Sequence, residues 1–187
     1  MKINVSELKD IAPKLKAGDK AELSGYVYTA RDAAHKRIAQ LIKENKPLPF
    51  PIENAVIYYA GPTGTKEGMV IGSCGPTTSG RMDPYTPQLL DMGLAGIIGK
   101  GERNAAVEEA IIRNKTVYFC AVGGAGALAC RCIKSCDVIA FDDLGCESVK
   151  KLYIENFPLT VTIDCHGGNI FKSGRENFDR RRIPVTV

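Results

Sequence analysis

The chain has 187 residues, 44% of them hydrophobic, and carries 25 Lys and Arg against 21 Asp and Glu for a formal charge of +4. That is enough apolar material for one well-filled core, and so mild a positive balance, with two histidines, argues against a nucleic-acid-binding surface and suits a small anionic ligand. No stretch approaches the roughly 18 continuous apolar residues of a membrane span, and "MKINVSELKD" has no apolar signal-peptide core, so a cytoplasmic protein without membrane contact is expected.

In chain order, "KAELSGYVYTA" (20–30) alternates in polarity and reads as a strand. The following "RDAAHKRIAQLIKEN" places Ala34, Ile38, Leu41 and Ile42 at helical spacing. Asp32 is the expected N-cap, which puts Arg31 at a strand-to-helix corner. After the linker "KPLPFP", two apolar runs, "NAVIYYAGP" and "GMVIGSCGP", each lead into a Gly-Pro-Thr turn, at 61–63 and 75–77. They predict neighbouring strands that open on one edge. "YTPQLLDMG" predicts a helix, "LAGIIGKG" a short buried strand, "NAAVEEAIIRNK" an amphipathic helix and "TVYFCAVGG" another buried strand. A Gly/Ala/Cys helix and the segments "CDVIAFDDLG", "SVKKLYIENF" and "LTVTIDCHGGNIF" complete the chain before a basic tail at 176–187 that contains "RRR" at 180–182. Alternating strands and helices with continuously apolar strands predict a single α/β domain over 1–187 with a largely covered sheet and polar loops at strand ends.

Seven cysteines are an odd number and stand in a chain without a secretion signal, which favours reduced thiols. "CRCIKSC" brings Cys130, Cys132 and Cys136 close in sequence, but without the paired spacing of zinc ribbons or ferredoxin runs, so structural thiols and no metal site are expected. The densest run of chemistry is "GPTTSGRMDPYTPQLL" (75–90), where Thr77, Thr78, Ser79 and Arg81 offer donors of different reach. Arginine clamps a carboxylate at two points. Arg81 could equally pair with Asp83, and Thr77 or Ser79 could cap the next helix. His35 reads as structural, and His166 as a weaker candidate for acid-base work.

"YTARDAAHKR", "YYAGPT", "GSCGPTTSGRMDPYTPQLL", "GIIGKGE", "LGCESV" and "FPLTVTID", in order from Tyr28 to Asp164, resemble the β subunit of class I fumarase and L-tartrate dehydratase, the iron-sulfur hydro-lyases. The resemblance implies a swivelling β/β/α domain. It also implies one half of a hetero-oligomeric enzyme that adds or removes water on a small dicarboxylate: fumarate and malate, or tartrate to oxaloacetate. On that resemblance Arg31, Arg81 and Thr78 bind substrate carboxylate, Thr77 contacts the substrate and takes part in proton transfer, and Lys100 supplies positive charge nearby. The 4Fe-4S cluster is implied to belong to the partner α subunit, with no cofactor bound by this chain. Two other readings remain open at this point. One is a non-catalytic module that grips a carboxylate or phosphate; the other is an independent metalloprotein built on the cysteine cluster.

Overall fold

A computed structural model of the chain describes residues 1–178, so the "RRR" run and most of the expected basic tail lie outside the described residues. Among the described residues seven strands and six α-helices follow one another, alternating except for the last two strands, which have no α-helix between them. Strand β1 (Lys2–Asn4) leads through α1 (Leu8–Ile11) to β2 (Lys20–Thr29), α2 (Asp32–Lys43), β3 (Val56–Tyr58), α3 (Thr86–Asp91), β4 (Gly96–Gly99), α4 (Ala105–Arg113) and β5 (Val117–Cys120). Then come α5 (Gly126–Ala129), β6 (Ile133–Ala140), β7 (Val149–Ile163) and α6 (Ile170–Phe178). The first three residues of the expected tail, 176–178, belong to α6.

Strands β2, β3, β4 and β5 lie side by side and parallel. The 15-residue β7 runs antiparallel to β2 and, further along, antiparallel to β5, so the pairings close a circuit through β2, β3, β4, β5 and β7. β1 extends the sheet along β2, and β6 along β7. The two segments "SVKKLYIENF" and "LTVTIDCHGGNIF" are thus one long strand, which nothing in their local patterning distinguishes from two.

The apolar residues explain why this mixed sheet is stable. Successive side chains of a strand point to opposite faces, and the short parallel strands are buried on both. Ile57, Tyr59, Ile97 and Tyr118 join a core with Ala34 and Ile38 of α2, Leu89 and Leu90 of α3, and Val107 and Ile111 of α4. Their neighbours Tyr58, Ile98 and Phe119 face a second core, shared with Leu8 of α1, Leu23 and Val27 of β2, and Leu152, Ile154 and Phe157 of β7. The alternation predicted for β2 is observed, whereas β3 and β4 are buried at every position, as strands covered on both faces must be.

The structure corrects two local expectations. "GMVIGSCGP" forms no strand; Met69 and Val70 are 47% and 50% exposed. Ser73 and Thr63 instead fold the segment back on itself: the Ser73 carbonyl accepts the Thr63 N–H and the Thr63 hydroxyl accepts the Ser73 N–H, both at 3.0 Å. Pro76, which has no N–H to offer a ladder, keeps only a single antiparallel bridge with Ala60. The two Gly-Pro-Thr turns do meet on one edge, but as a strand end and a loop. Asp32, expected as N-cap of α2, is the first helical residue, and Arg31 stands in the cap position without a side-chain bond. The capping acceptor comes from a distant loop, where Glu147 Oε2 accepts the Ala33 N–H at 2.8 Å.

Candidate active site

The carboxyl ends of the four parallel strands deliver four segments to one edge: Arg31 after β2, Gly61 after β3, Lys100 after β4 and Gly123 after β5. Open α/β sheets hold ligands at such an edge. The loop 75–79 is stitched across it. Thr77 N–H donates to the Tyr59 carbonyl at 2.7 Å, Thr78 bridges Lys100 in parallel fashion, and Ser79 N–H donates to the Lys100 carbonyl at 2.9 Å. Ser79 is fully buried and its Oγ accepts the Lys100 N–H at 3.0 Å. Gly99 permits this approach, because a Cβ there would collide with Ser79 Oγ.

Arg31, Arg81 and Thr77 are linked through Asp32 by two hydrogen bonds and one ion pair. Arg31 Nε donates to Asp32 Oδ2 at 3.3 Å, the other oxygen of Asp32 lies 3.3 Å from Arg81 Nε, and Arg81 Nη2 donates to Thr77 Oγ1 at 3.0 Å. Glu147 Oε1 lies 3.5 Å from Arg31 Nη2. The Arg31 side chain lies along Gly61, where an added Cβ would stand 2.9 Å from its Cδ and 3.0 Å from its Nη1. Asp83 is not the partner of Arg81. Its carboxylate is taken by buried Arg103, whose Nε donates to Oδ1 at 2.7 Å, and by the Asn104 N–H, which donates to Oδ2 at 2.7 Å. Arg103 also donates to Thr86 and sits over the rings of Tyr59 and Tyr118. This buried pair fastens the turn that carries Arg81 to the chain leaving β4.

The remaining expected residues fall around this chain. Thr78 is exposed and precedes the short turn Ser79–Met82 without a side-chain capping bond. Thr77 and Ser79, the alternative caps of that turn, bond Arg81 and Lys100 instead. Lys100 is half-buried, and its chain extends over Gly123, where an added Cβ would lie 3.4 Å from Cδ and 3.8 Å from Nζ. His35 is fully buried under Arg31, with Nδ1 3.1 Å from the Arg31 carbonyl. Burial is the main reason its pKa drops from 6.5 to about 4. The ring is therefore neutral at pH 7, its Nδ1–H donating to the carbonyl, and it braces the corner that carries Arg31. His166 binds the Pro13 carbonyl through Nε2, in the turn after β7.

Sequence reasoning passed over Asp32 as a bridge and Glu147 altogether. Asp32 gave a signal, since it adjoins Arg31, but the same signal suits a helix cap. Glu147 reaches Ala33 from 114 residues away, and no local spacing encodes that. Three cations, Arg31, Arg81 and Lys100, thus share the edge with two carboxylates. Arg31 and Arg81 side chains are 23% and 47% exposed, so the edge is an open shelf that favours an anion but leaves it in contact with water.

Cys130, Cys132 and Cys136 pack against the apolar core, Cys130 Sγ contacts the Ala127 carbonyl, and burial raises the pKa of Cys132 and Cys136, which opposes the thiolate a metal needs. Among the described residues no three His, Cys, Asp or Glu side chains are arranged to hold a metal ion. No described helix is long and apolar enough to cross a membrane.

A parallel-stranded edge sets two arginines and a threonine beside a lysine in this single α/β domain, and sequence comparison places the domain in a family. The family model described as Fumarase C-terminus matches residues 1–174, and the chain belongs to that family. It is 39% identical over 170 residues to the putative L(+)-tartrate dehydratase subunit beta of Methanocaldococcus jannaschii, covering 88% of this chain and 87% of that one. Against the L(+)-tartrate dehydratase subunit beta of Escherichia coli K12 the identity is 30% over 188 residues, covering 98% and 90%. The anaerobic class I fumarate hydratase of E. coli K12 is 38% identical over 152 residues, which are 80% of this chain but 28% of that enzyme. Beside the fumarate hydratases, then, the chain spans less than a third of their length.

Proposed function

We propose that this chain is the β subunit of an iron-sulfur-dependent hydro-lyase acting on a small dicarboxylate, either fumarate and malate or tartrate, and that it supplies the carboxylate-binding half of an active site completed by an α subunit. The observation that carries this reading is the chain Arg31, Asp32, Arg81, Thr77 on the strand-end edge beside Lys100. Relatives named as tartrate dehydratase β subunits, and the much longer fumarate hydratases that contain a matching region, support both the reaction class and the need for a second polypeptide.

The residues suit the chemistry. Dehydration removes a proton next to a carboxylate and expels a hydroxyl from the adjacent carbon, so the substrate is anionic and must be held in one orientation. Guanidinium groups do that through paired N–H donors. Thr77 Oγ1 accepts from Arg81, which leaves its own O–H to donate to a substrate oxygen. The adjacent positive charge also eases loss of that proton, answering the weakness of a bare hydroxyl in proton transfer. Lys100, on the same edge, adds charge where negative charge develops. Thr78 is exposed beside them, which supports its assignment to a substrate carboxylate. The cluster supplies Lewis acidity for hydroxide departure when bound, and the residues described above give it no ligand set here. We assign it to the α subunit.

Several structural features fit a part that closes over a site built elsewhere. The shelf is open, and charge interactions strengthen when water is excluded. Two apolar cores on opposite faces of a sheet that closes on itself suit the swivelling β/β/α arrangement, with 1–187 as one domain in a cytoplasmic hetero-oligomer.

The test is reconstitution. The purified chain alone is expected to be colourless, free of iron and sulfide, and inactive. Mixed with an α chain of this family, it should yield hydration of fumarate or dehydration of tartrate. A stoichiometric cluster on the isolated chain, lost on mutating Cys130, Cys132 or Cys136, would overturn the assignment. Tight dicarboxylate binding with no turnover in any mixture would favour an anion-binding regulatory module.

A further inference from the structure

The two arginines of the shelf are not independent. Asp32 offers one carboxylate oxygen to each, with both Nε atoms at 3.3 Å. A guanidinium has five N–H bonds, one on Nε and two on each Nη. Arg31 directs Nε to Asp32 and Nη2 toward Glu147; Arg81 directs Nε toward Asp32 and Nη2 to Thr77. Arg31 thus commits its Nε hydrogen and Arg81 one Nη2 hydrogen inside the protein, while Arg31 Nη2 and Arg81 Nε are held by ion pairing. Among the described residues neither Nη1 makes a hydrogen bond, and these outer N–H groups remain for a ligand.

We propose that Asp32 is a positioning residue: its carboxylate tethers the Nε atoms of Arg31 and Arg81 to one point, so that the outer nitrogens of both are held at a fixed spacing for a single dicarboxylate. The proposal rests on the dicarboxylate reading above and extends it to a residue that need not touch the ligand. The physical case has three parts. Two like charges on a half-exposed edge repel, and each long arginine side chain has many rotamers to lose; without a tether the ligand would have to order both. The tether itself is rigid, because Asp32 is the first residue of α2 and the next N–H is held by Glu147. A carboxylate at that position is also favoured by the helix dipole.

This role predicts the opposite of what a charge count predicts. Removing a negative charge beside an anion site should tighten binding, whereas removing a tether should loosen it. The experiment follows L-malate and acetate binding to the full chain by NMR titration, for the wild type, Asp32→Asn, Asp32→Glu and Arg81→Ala. Titrations at about 50 mM and about 300 mM salt separate screened charge effects from geometry. Asp32→Asn is expected to weaken malate binding about tenfold at both salt concentrations while changing acetate binding less than about threefold, since only the two-point ligand needs the spacing. Asp32→Glu, which keeps the charge and changes the reach, should also lose malate affinity. If Asp32→Asn binds malate as tightly as the wild type or more so, and Arg81→Ala abolishes binding, the tether is wrong and the dicarboxylate site stands. Malate that perturbs none of the four proteins would overturn the tether and the dicarboxylate site of this chain together. The amide spectra in the same titrations report whether each variant is folded.

Discussion

Ser79 and Lys100 are joined twice, the Ser79 hydroxyl accepting the Lys100 N–H at 3.0 Å and the Lys100 carbonyl accepting the Ser79 N–H at 2.9 Å. Ser79 Oγ also lies 2.9 Å from the hydroxyl of Tyr118, whose proton goes to the Gly101 carbonyl at 2.9 Å. The Ser79 proton is thus left to donate to Tyr118, and one buried side chain sets the lysine against the loop of Thr77 and Arg81. Ser79→Ala leaves a buried N–H without its acceptor, which should cost about 1 to 3 kcal/mol of stability. Urea unfolding of the isolated chain measures it; an unchanged midpoint would show that the hydroxyl is not the fastening.

Thr77 makes no capping bond, so Thr77→Ala is expected to leave the melting temperature nearly unchanged. In the complex with the α chain it should lower turnover by about a hundredfold, as for a group that positions or passes a proton in the transition state. Thr77→Ser keeps the oxygen that Arg81 grips and should recover part of the loss. Stability lost with activity kept would assign Thr77 a purely structural role.

Arg81 contacts Asp32 and Thr77 through different nitrogens of one planar group. Arg81→Lys preserves the charge but offers a single point in place of the fork. Its kcat/KM in the complex should fall by about tenfold or more. Near wild-type kinetics would mean that charge alone suffices.

His35 should make stability depend on pH. Its folded pKa, about 4 against an ordinary 6.5, means that the unfolded chain takes up a proton first. The contribution of neutral His35 is complete above about pH 6.5, declines as the pH falls and is exhausted near the folded value; two and a half pH units correspond to about 3 kcal/mol. In His35→Gln, whose amide can still donate to the Arg31 carbonyl, the fall in melting temperature between pH 6.5 and 4 should flatten. A slope equal to wild type would place the acid sensitivity elsewhere.

Much of this protein is local, and that part was readable from residue order. The periodicity of 20–30 made β2, the apolar runs at 56–58, 96–99 and 117–120 made parallel strands, and Asn104 caps α4 with its own side chain. The corner position of Arg31 follows from a strand meeting a helix. The density of hydroxyls and arginine in 75–90 marked the loop that matters. Tertiary structure decided what distance in sequence conceals. The apolar "GMVIGSCGP" is a loop because glycines and Pro76 fold it onto Thr63 rather than into a ladder. Asp83 belongs to Arg103, because a carboxylate pairs with whichever cation the fold buries beside it. Glu147 caps a helix from 114 residues away, a contact that depends on β7 running back along β2. Asp32 looked like a cap and is a bridge, since hydrogen bonds depend on distances of about 3 Å and only folding brings Arg31 and Arg81 to the same carboxylate.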